Sequence, residues 1–291
     1  MATIAMRRPA AAAARPKRGA GPRWPRSPQF WAGSAIVAIA TAAALLAPLL
    51  APYDPLVQDT YARYAGPSAQ HLLGLDELGR DVLSRLLHGA RITLRTGITS
   101  IAIAMPAGAL LGAWAGFRRG WLDAAIMRVL DVQLAYPGIL LALVLIVTLG
   151  ASQRSVIIAL AIGYVPYFAR IIRGAVMREA SLDYVLAAEA LGQRRWMMLL
   201  RHIGPNVAGL LVVHGSFAVS GAMVAESSLS FLGLGVSPSD PSWGRMLSEG
   251  TQAVYIAPHV AVIPIAALSL VILGWFLIGE GSREWLDPRR G

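Results

Sequence analysis

Residues 184–206 read YVLAAEALGQRRWMMLLRHIGPN, and this stretch decides the fold. Apolar residues recur at helical spacing in two successive runs, separated by Gly192, where a helix commonly ends in a left-handed residue. Gly204 and Pro205 are expected to stop the second run. The pattern predicts a short helix–turn–helix whose two faces are Tyr184, Ala187, Ala188 and Leu191, then Trp196, Leu199, Leu200 and Ile203.

The composition around this stretch is that of a membrane protein. The 291 residues are 56% apolar and only 14% charged, whereas soluble domains carry about 25% charged residues. The chain has no cysteine, which excludes disulfides, thiolate metal sites and a cysteine nucleophile.

The net charge of +10 is concentrated at one end of the chain. Residues 1–29 hold seven basic residues and no acid, and an apolar run follows. This order indicates a cytoplasmic, disordered tail before a first membrane span and does not indicate a nucleic-acid partner.

Hydropathy predicts six spans, each long enough for a hydrocarbon layer of about 30 Å. Most arginines outside the spans fall in the segments that an inside N-terminus would place in the cytoplasm, so both termini are predicted there. Residues 30–70 are assigned to an N-terminal span and external linker, and 71–291 to a core with five spans. The predicted spans are 30–51, 92–116, 129–149, 155–175, 205–225 and 257–279.

A second patterned stretch, residues 71–91, reads HLLGLDELGRDVLSRLLHGAR. Acid-first pairs four residues apart favour an amphipathic helix lying at the outer interface. A metal site is the other interpretation, although the spacing fits no standard metal motif. The two acid–base pairs are Asp76–Arg80 and Asp81–Arg85, and the metal interpretation would use His71, Asp76, Glu77, Asp81 and His88.

Gly108, Gly112 and Gly116 recur every four residues in the second span. Small residues at this spacing let helices approach closely. They pack either within the bundle, which is favoured, or against a second membrane subunit.

The 184–206 stretch resembles the EAA loop of ABC-importer permeases, with Ala187, Ala188, Gly192 and Pro205 at the motif's spacing. Leu186 stands where the family has its leading glutamate, and Gly204 where it has a leucine. Residues 71–91, 225–250 and 279–290 are similar to segments of dipeptide, oligopeptide and nickel importer permeases, specifically the second, "C-type" subunit.

The resemblance implies an all-α membrane protein with the type I ABC importer permease fold and a cytoplasmic coupling helix. Its implied partners are a homologous permease subunit in a heterodimer, two ATP-binding-cassette ATPase domains and an extracytoplasmic solute-binding protein, at a bacterial inner membrane. The implied coupling residues are Asp183, Tyr184, Ala187, Ala188, Leu191, Gly192, Arg194, Arg195 and Pro205.

The outer loop has two interpretations, an external gate or binding-protein contact through Phe231, Asp240 and Trp243, and a structural cap that only seals the bundle. Phe231, Leu232 and Leu234 are expected to tuck against the bundle. Pro238 to Trp243 are expected to face outward, with Trp243 as an exposed anchor.

The chain is not expected to be an enzyme. A P-loop needs Gly-Lys followed by Ser or Thr, and the only lysine is Lys17. ATP and magnesium are therefore expected on the partner ATPases, with no cofactor and no metal in this chain.

The substrate is expected to be a di- or oligopeptide, with nickel chelates, glutathione and opines as alternatives. The sequence does not identify the residues that line the path. An ion-coupled secondary transporter would need intramembrane ionisable groups, and no catalytic arrangement supports an intramembrane enzyme. The ionisable candidates are Asp131, Glu226 and Glu280, placed at span ends where carboxylates reach the interface, and His214 at mid-span.

Overall fold

The computed structural model describes residues 27–235 and 240–286, with the side chains of 285 and 286 excepted. Over these ranges the protein is helical, and its one β contact is an isolated bridge between Leu75 and Asp81. The tail predicted to be disordered lies almost wholly outside the described residues, as does Pro238.

Eleven α-helices follow one another over the described residues, with a 3₁₀ turn at Thr60–Ala62 and a π-helical stretch at Leu199–Ile203. They are α1 (Pro28–Leu45), α2 (Ala47–Leu50), α3 (Val82–Arg118), α4 (Gly120–Leu134), α5 (Gly138–Leu149), α6 (Gln153–Glu179), α7 (Asp183–Ala190), α8 (Arg195–Met198), α9 (Gly204–Phe231), α10 (Trp243–Thr251) and α11 (Pro258–Leu286).

Five helical runs are long and apolar enough to cross a membrane, namely α1, α3, α6, the run Arg195–Phe231 and α11. The predicted third span, 129–149, is not one straight helix. It is divided between α4 and α5, which meet at 86°. Pro137 lies at the break, and the residue before a proline is disfavoured in helical conformation.

The bent pair still carries the chain from one end of the bundle to the other. Just before α4, the Arg119 side chain donates to the carbonyl of Met177 at the end of α6. Just after α5, Gln153 donates over 3.0 Å to Thr96 Oγ1, in the first half of α3. Counted as one bent span, the pair therefore brings the number of crossings to six.

Helix α1 lies at the periphery, along α11. A Cβ on Gly33 would come within 2.5 Å of the Gly274 carbonyl oxygen, so the two backbones meet where neither residue has a side chain. The Ser27 hydroxyl donates to the Gly281 carbonyl over 3.3 Å. Residue 27 and the last turns of α11 consequently lie at the same end of the bundle.

The three glycines of α3 pack within the chain, as favoured from the sequence. Each faces the backbone of α6: Gly108 against Val165 and Phe168, Gly112 against Ala169, and Gly116 against Arg173. A Cβ on Gly108 would lie 2.6 Å from the Val165 carbonyl oxygen. Side chains here would force α3 and α6 apart.

The helix predicted over 71–91 begins only at Val82. Gly74 and Gly79 have φ of 79° and 73°, a left-handed conformation that breaks a helix. Asp76 Oδ1 instead accepts the backbone N–H groups of Leu78 and Arg80, at 2.9 and 3.0 Å, forming a turn. The side chain of Asp81 caps α3.

Candidate functional site

The segment that joins α6 to α9 has the predicted first helix and turn. In α7, Asp183 occupies the first turn, where a carboxylate complements the helix dipole. The helix ends in a Schellman motif, in which Gly192 N–H bonds Glu189 O at 2.9 Å and Gln193 N–H bonds Ala188 O at 3.1 Å. Gly192 has a φ of 75°, the left-handed conformation predicted for it.

The second predicted helix does not stop at Gly204-Pro205. Helix α8 passes through the π-helical turn directly into α9. Gly204 N–H bonds Leu199 O, five residues back, and a Cβ on Gly204 would lie 2.9 Å from that oxygen. The widened turn accommodates Pro205, which lacks an N–H, so the expected break is replaced by a π-bulge.

The wider turn also changes which residues share a face. Ile203 of the predicted second face is buried and Leu199 is half-buried, whereas Trp196 and Leu200 are exposed. The segment is held to the bundle by a different set, in which Val185, Met198 and Ile203 pack with Ile172 and Val176 of α6.

The opposite side of the segment carries an apolar outer face. We define this face as the exposed side chains of Leu186, Leu191, Trp196 and Leu200. Leu191, in the turn, is 88% exposed. Several large exposed apolar side chains in one short segment are typical of a protein interaction surface.

Several predicted coupling residues surround this face. Asp183, Tyr184 and Ala187 are exposed, and Ala188 is half-buried. Arg194, Arg195 and Pro205 are also exposed. Arg195 lies 3.8 Å from Glu189, an exposed pair of the kind that adds little stability.

A polar cluster, not predicted from the sequence, joins this segment to both neighbouring helices. Asn206 Nδ2 donates to Tyr184 Oη at 2.8 Å and to Glu179 Oε1 at 2.9 Å. Tyr184 Oη also donates to Glu179. Burial, together with the hydrogen bond to Glu179, raises the pKa of the Tyr184 hydroxyl. The cluster connects α6, α7 and α9. In the sequence, the signal that could have revealed it is Asn206, a polar residue just inside an apolar span.

At the other end of the bundle, Trp243 is buried and is not the exposed anchor that was predicted. Its side chain is 3% exposed, and Nε1 donates to the Leu86 carbonyl at 2.9 Å. Gly89 makes room for the ring, since a Cβ there would lie 3.0 Å from Trp243 Cδ1. Trp243 therefore fastens α10 to α3, and Pro241 and Ser242 are buried with it.

The rest of the predicted outer loop also differs from expectation. The side chains of Phe231 and Leu232 are exposed and Leu234 is half-buried, so they do not tuck into the bundle of this chain. Asp240 is exposed, as predicted. Gly233 has a φ of 77°, which turns the chain after the end of α9.

A buried ion network links the 71–81 segment to α10. Asp76 Oδ2 accepts from Arg80 at 2.7 Å and from Arg85 at 2.8 Å, and both arginines also bond Glu249 Oε2, at 3.0 and 2.8 Å. Arg245 bonds Glu249 Oε1 at 3.1 Å. Burial raises the pKa of Glu249, and the charge of Arg80 opposes that rise.

The predicted pairing of Asp81 with Arg85 is therefore wrong, because Asp81 caps α3 and bonds His71 at 3.0 Å. The proposed metal ligands have other partners here, and His88 Nδ1 bonds the Ser84 carbonyl at 2.9 Å. Within the described residues no three such side chains converge as a metal site would require.

Glu226 is buried, contrary to its predicted position at the interface. It is 1% exposed, and its carboxyl oxygens are bonded by Ser230 at 2.8 Å and Ser227 at 3.3 Å, with Thr93 of α3 a further partner. Because α9 continues to Phe231, Glu226 lies more than one turn before the end of the helix. It helps to hold α9 against α3.

The other ionisable candidates have ordinary structural partners. Asp131, exposed, pairs with Arg170 of α6. One turn further along α6, Arg173 holds Asp123 with two hydrogen bonds, the longer of 2.7 Å. Glu280 is half-buried in α11. These pairs attach α4 to α6.

His214 lies at the boundary between two openings on the α6–α9 side of the chain. Its Nδ1 is 2.9 Å from Tyr167 Oη. Tyr167 lines an apolar cavity of about 320 Å³ toward the Trp243 end. His214 lines a polar cleft of about 920 Å³ that reaches Pro205 and Asn206 at the coupling segment.

This arrangement agrees with two matches to known families. The family described as "Binding-protein-dependent transport system inner membrane component" matches residues 108–291. The chain belongs to this family. A second family, described as "N-terminal TM domain of oligopeptide transport permease C", matches residues 23–67.

Similar proteins include three called "Glutathione transport system permease protein GsiD". The one from Pectobacterium atrosepticum is 42% identical over 259 residues, which cover 89% of this chain and 86% of the relative. Those from Shigella dysenteriae serotype 1 and Escherichia coli O157:H7 are each 40% identical over 250 residues, covering 84% of this chain and 82% of the relative.

The chain is thus an ABC importer permease of the dipeptide and oligopeptide family, and the predicted family and all-α permease fold are confirmed. A permease subunit of this kind is a multi-pass inner-membrane protein that is not itself catalytic, and it works with an ATPase and a substrate-binding protein.

Proposed function

We propose that this permease forms a heterodimer with a homologous subunit and imports di- or oligopeptides when two ATPase domains on other chains hydrolyse ATP. The apolar outer face is the observation that carries this proposal. Leu186, Leu191, Trp196 and Leu200 are all exposed, and the segment that carries them is fixed to α6 and α9. A soluble motor needs such a surface to move a membrane bundle.

The coupling role falls on the predicted residues around that face. Gly192 shapes the turn, while Tyr184 connects the turn to α9 through Asn206. Asp183, Ala187, Ala188, Arg194 and Arg195 supply the polar and small side chains around the contact, and Pro205 lies beside the π-bulge.

The coupling segment and both termini are proposed to be cytoplasmic. Residue 27 contacts the last turns of α11 at the end of the bundle that carries this segment. The seven basic residues in 1–29 favour retention of that end in the cytoplasm. Residues 30–70 would then form a peripheral addition to the core of 71–291.

The binding protein is proposed to dock at the opposite end, which carries α10. Phe231 and Asp240 are exposed there and remain candidate contacts. Trp243 is proposed to act from beneath, because it holds α10 in position without reaching the surface.

Glutathione, a tripeptide, is the specific candidate among peptide substrates. The relatives named above are glutathione transport permeases that match most of this chain. Nickel chelates and opines stay as alternatives within the same architecture.

The test is reconstitution of the complete complex in proteoliposomes with labelled glutathione, a dipeptide and a nickel chelate. Uptake of a peptide that requires ATP and the binding protein is the expected result. The purified chain alone should hydrolyse no ATP, because it has no P-loop lysine. Uptake of the nickel chelate alone would contradict the peptide assignment, and hydrolysis by the isolated chain would contradict the division of labour.

A further inference from the structure

The polar cleft is built from three helices that meet beside the coupling segment. Arg178 and Glu179 come from α6, Asn206 and His214 from α9, and Arg283 from α11. Its volume of about 920 Å³ is of the size that holds small ligands. Both arginines are exposed and lie in the last turns of α6 and α11, at the same end of the bundle as the coupling segment.

Within residues 27–235 and 240–286, the two arginines of this cleft pair with no carboxylate. Neither the Arg178 nor the Arg283 guanidinium has a hydrogen-bond or ion-pair partner among the described residues. The carboxylate of Glu179 is already engaged by Tyr184 and Asn206. By contrast, Arg173 on the same helix is paired with Asp123.

His214 lines the cleft further along α9 from the coupling segment than Asn206. The Tyr167 hydroxyl can donate to Nδ1 over 2.9 Å, which leaves Nε2 as the N–H donor of a neutral ring. This group and the two guanidinium groups are hydrogen-bond donors on residues that line the cleft. A guanidinium binds a carboxylate through two parallel hydrogen bonds.

We infer that this cleft receives the carboxylate groups of the transported peptide on its way to the cytoplasm, with Arg178 and Arg283 as the contacting groups. The inference rests on the proposed peptide import. It identifies the part of the path at which the negatively charged groups of the substrate are bound. The apolar cavity beyond Tyr167 has no arginine in its lining and is not part of this site.

Because the chain has no native cysteine, a single introduced thiol reports on the cleft. Val213→Cys places a thiol in its lining. Val212→Cys, at the neighbouring and exposed position outside that lining, is the matched control. The complete complex in inside-out vesicles is treated with an anionic sulfonatoethyl or a cationic trimethylammonioethyl methanethiosulfonate, and modification of this chain is followed by mass.

The modification rate of each reagent is divided by the rate of the same reagent with a small free thiol. The ratio of the anionic value to the cationic value gives the charge preference. We expect the anionic reagent to be favoured by about tenfold at Val213→Cys, since two guanidinium groups against one hydrogen-bonded carboxylate leave the cleft net positive, and a net positive cleft concentrates anions. Arg178→Gln and Arg283→Gln should each lower the ratio severalfold. Arg128→Gln, which removes an exposed arginine of α4 outside the cleft, should leave it unchanged.

S-methylglutathione and alanylalanine should slow modification at Val213→Cys, and alanylalanine amide should do so less. Leu210→Cys places a thiol at a second position in the cleft lining. The inference would be overturned if neither Val213→Cys nor Leu210→Cys were modified, or if neither arginine variant lowered the charge-preference ratio. Equal protection by the amide would also overturn it. A complex that imports peptides without the charge preference refutes this inference alone, whereas the preference without peptide uptake refutes the proposed substrate.

Discussion

Asn206, in the first turn of α9, donates a hydrogen bond of 2.8 Å to the hydroxyl of Tyr184 in α7. The same amide bonds Glu179 at the end of α6 over 2.9 Å. One side chain therefore connects the exposed coupling segment with the two long helices that flank it. A displacement of α7 by a bound motor would be passed to both helices.

Tyr184→Phe should weaken that connection while keeping the ring. A single hydrogen bond contributes about 1 kcal/mol, so we expect a several-fold loss of peptide uptake per ATP hydrolysed, with the chain still inserted. The measurement is uptake and hydrolysis in the same proteoliposomes. Tyr136→Phe, at an exposed tyrosine in the α4–α5 break, is the control and should change neither. A wild-type ratio in Tyr184→Phe would remove the hydroxyl from the coupling mechanism.

Gly192→Val should abolish transport without preventing membrane insertion. No neighbouring atom lies within 4 Å of a Cβ built there, so the effect would come from the backbone φ of 75°. The left-handed conformation costs about 1–2 kcal/mol for an ordinary residue, and more for a β-branched one. Gly192→Asn, which tolerates this conformation better, should retain most uptake. Full uptake by the valine variant would show that the turn's shape is not required.

Trp243→Ala should destabilise the permease, because the indole is buried between α10 and α3. Truncation of a buried aromatic residue costs about 3–5 kcal/mol. The melting temperature in detergent should fall clearly, and Trp243→Phe should cause a smaller fall by losing the bond to Leu86. Unchanged melting of the alanine variant, with selective loss of binding-protein-stimulated hydrolysis, would restore the role of a surface anchor.

Reporter fusions after Arg26 and after Arg290 should both read cytoplasmic, and a fusion after Ala65 should read external. Six crossings, with α4 and α5 as one bent crossing, return the chain to its starting side. Opposite readings at the two termini would mean that the bent pair does not cross.

Much of this architecture was accessible from the sequence, because a 20-residue apolar run and a glycine at a helix end each have one main physical explanation. The coupling turn, the α3–α6 glycine contacts and five of the spans follow local rules of this kind. The interpretation of 71–91 failed because Gly74 and Gly79 outweighed the charge pairs, and because Arg80 and Arg85 found a partner in the distant Glu249.

Contacts between distant residues explain the other errors. Trp243 follows a turn-rich loop, which is typical of an exposed residue, and only the space above Gly89 buries it. Glu226 was expected at a span end because the helix was predicted to be too short. The polar cleft depends on α6, α9 and α11 together, so no single segment contains its pattern.

The central claim is that the apolar outer face of the coupling segment binds the ATPase. Leu191→Cys, at the side chain that is 88% exposed in the turn, can carry a thiol-linked photo-crosslinker in a chain with no other cysteine. Tyr255→Cys, fully exposed between α10 and α11 at the other end of the bundle, is the control. In the assembled complex, irradiation should join this chain to the ATPase from Leu191→Cys and not from Tyr255→Cys. No ATPase adduct at Leu191→Cys, or equal adducts at both positions, would contradict the account.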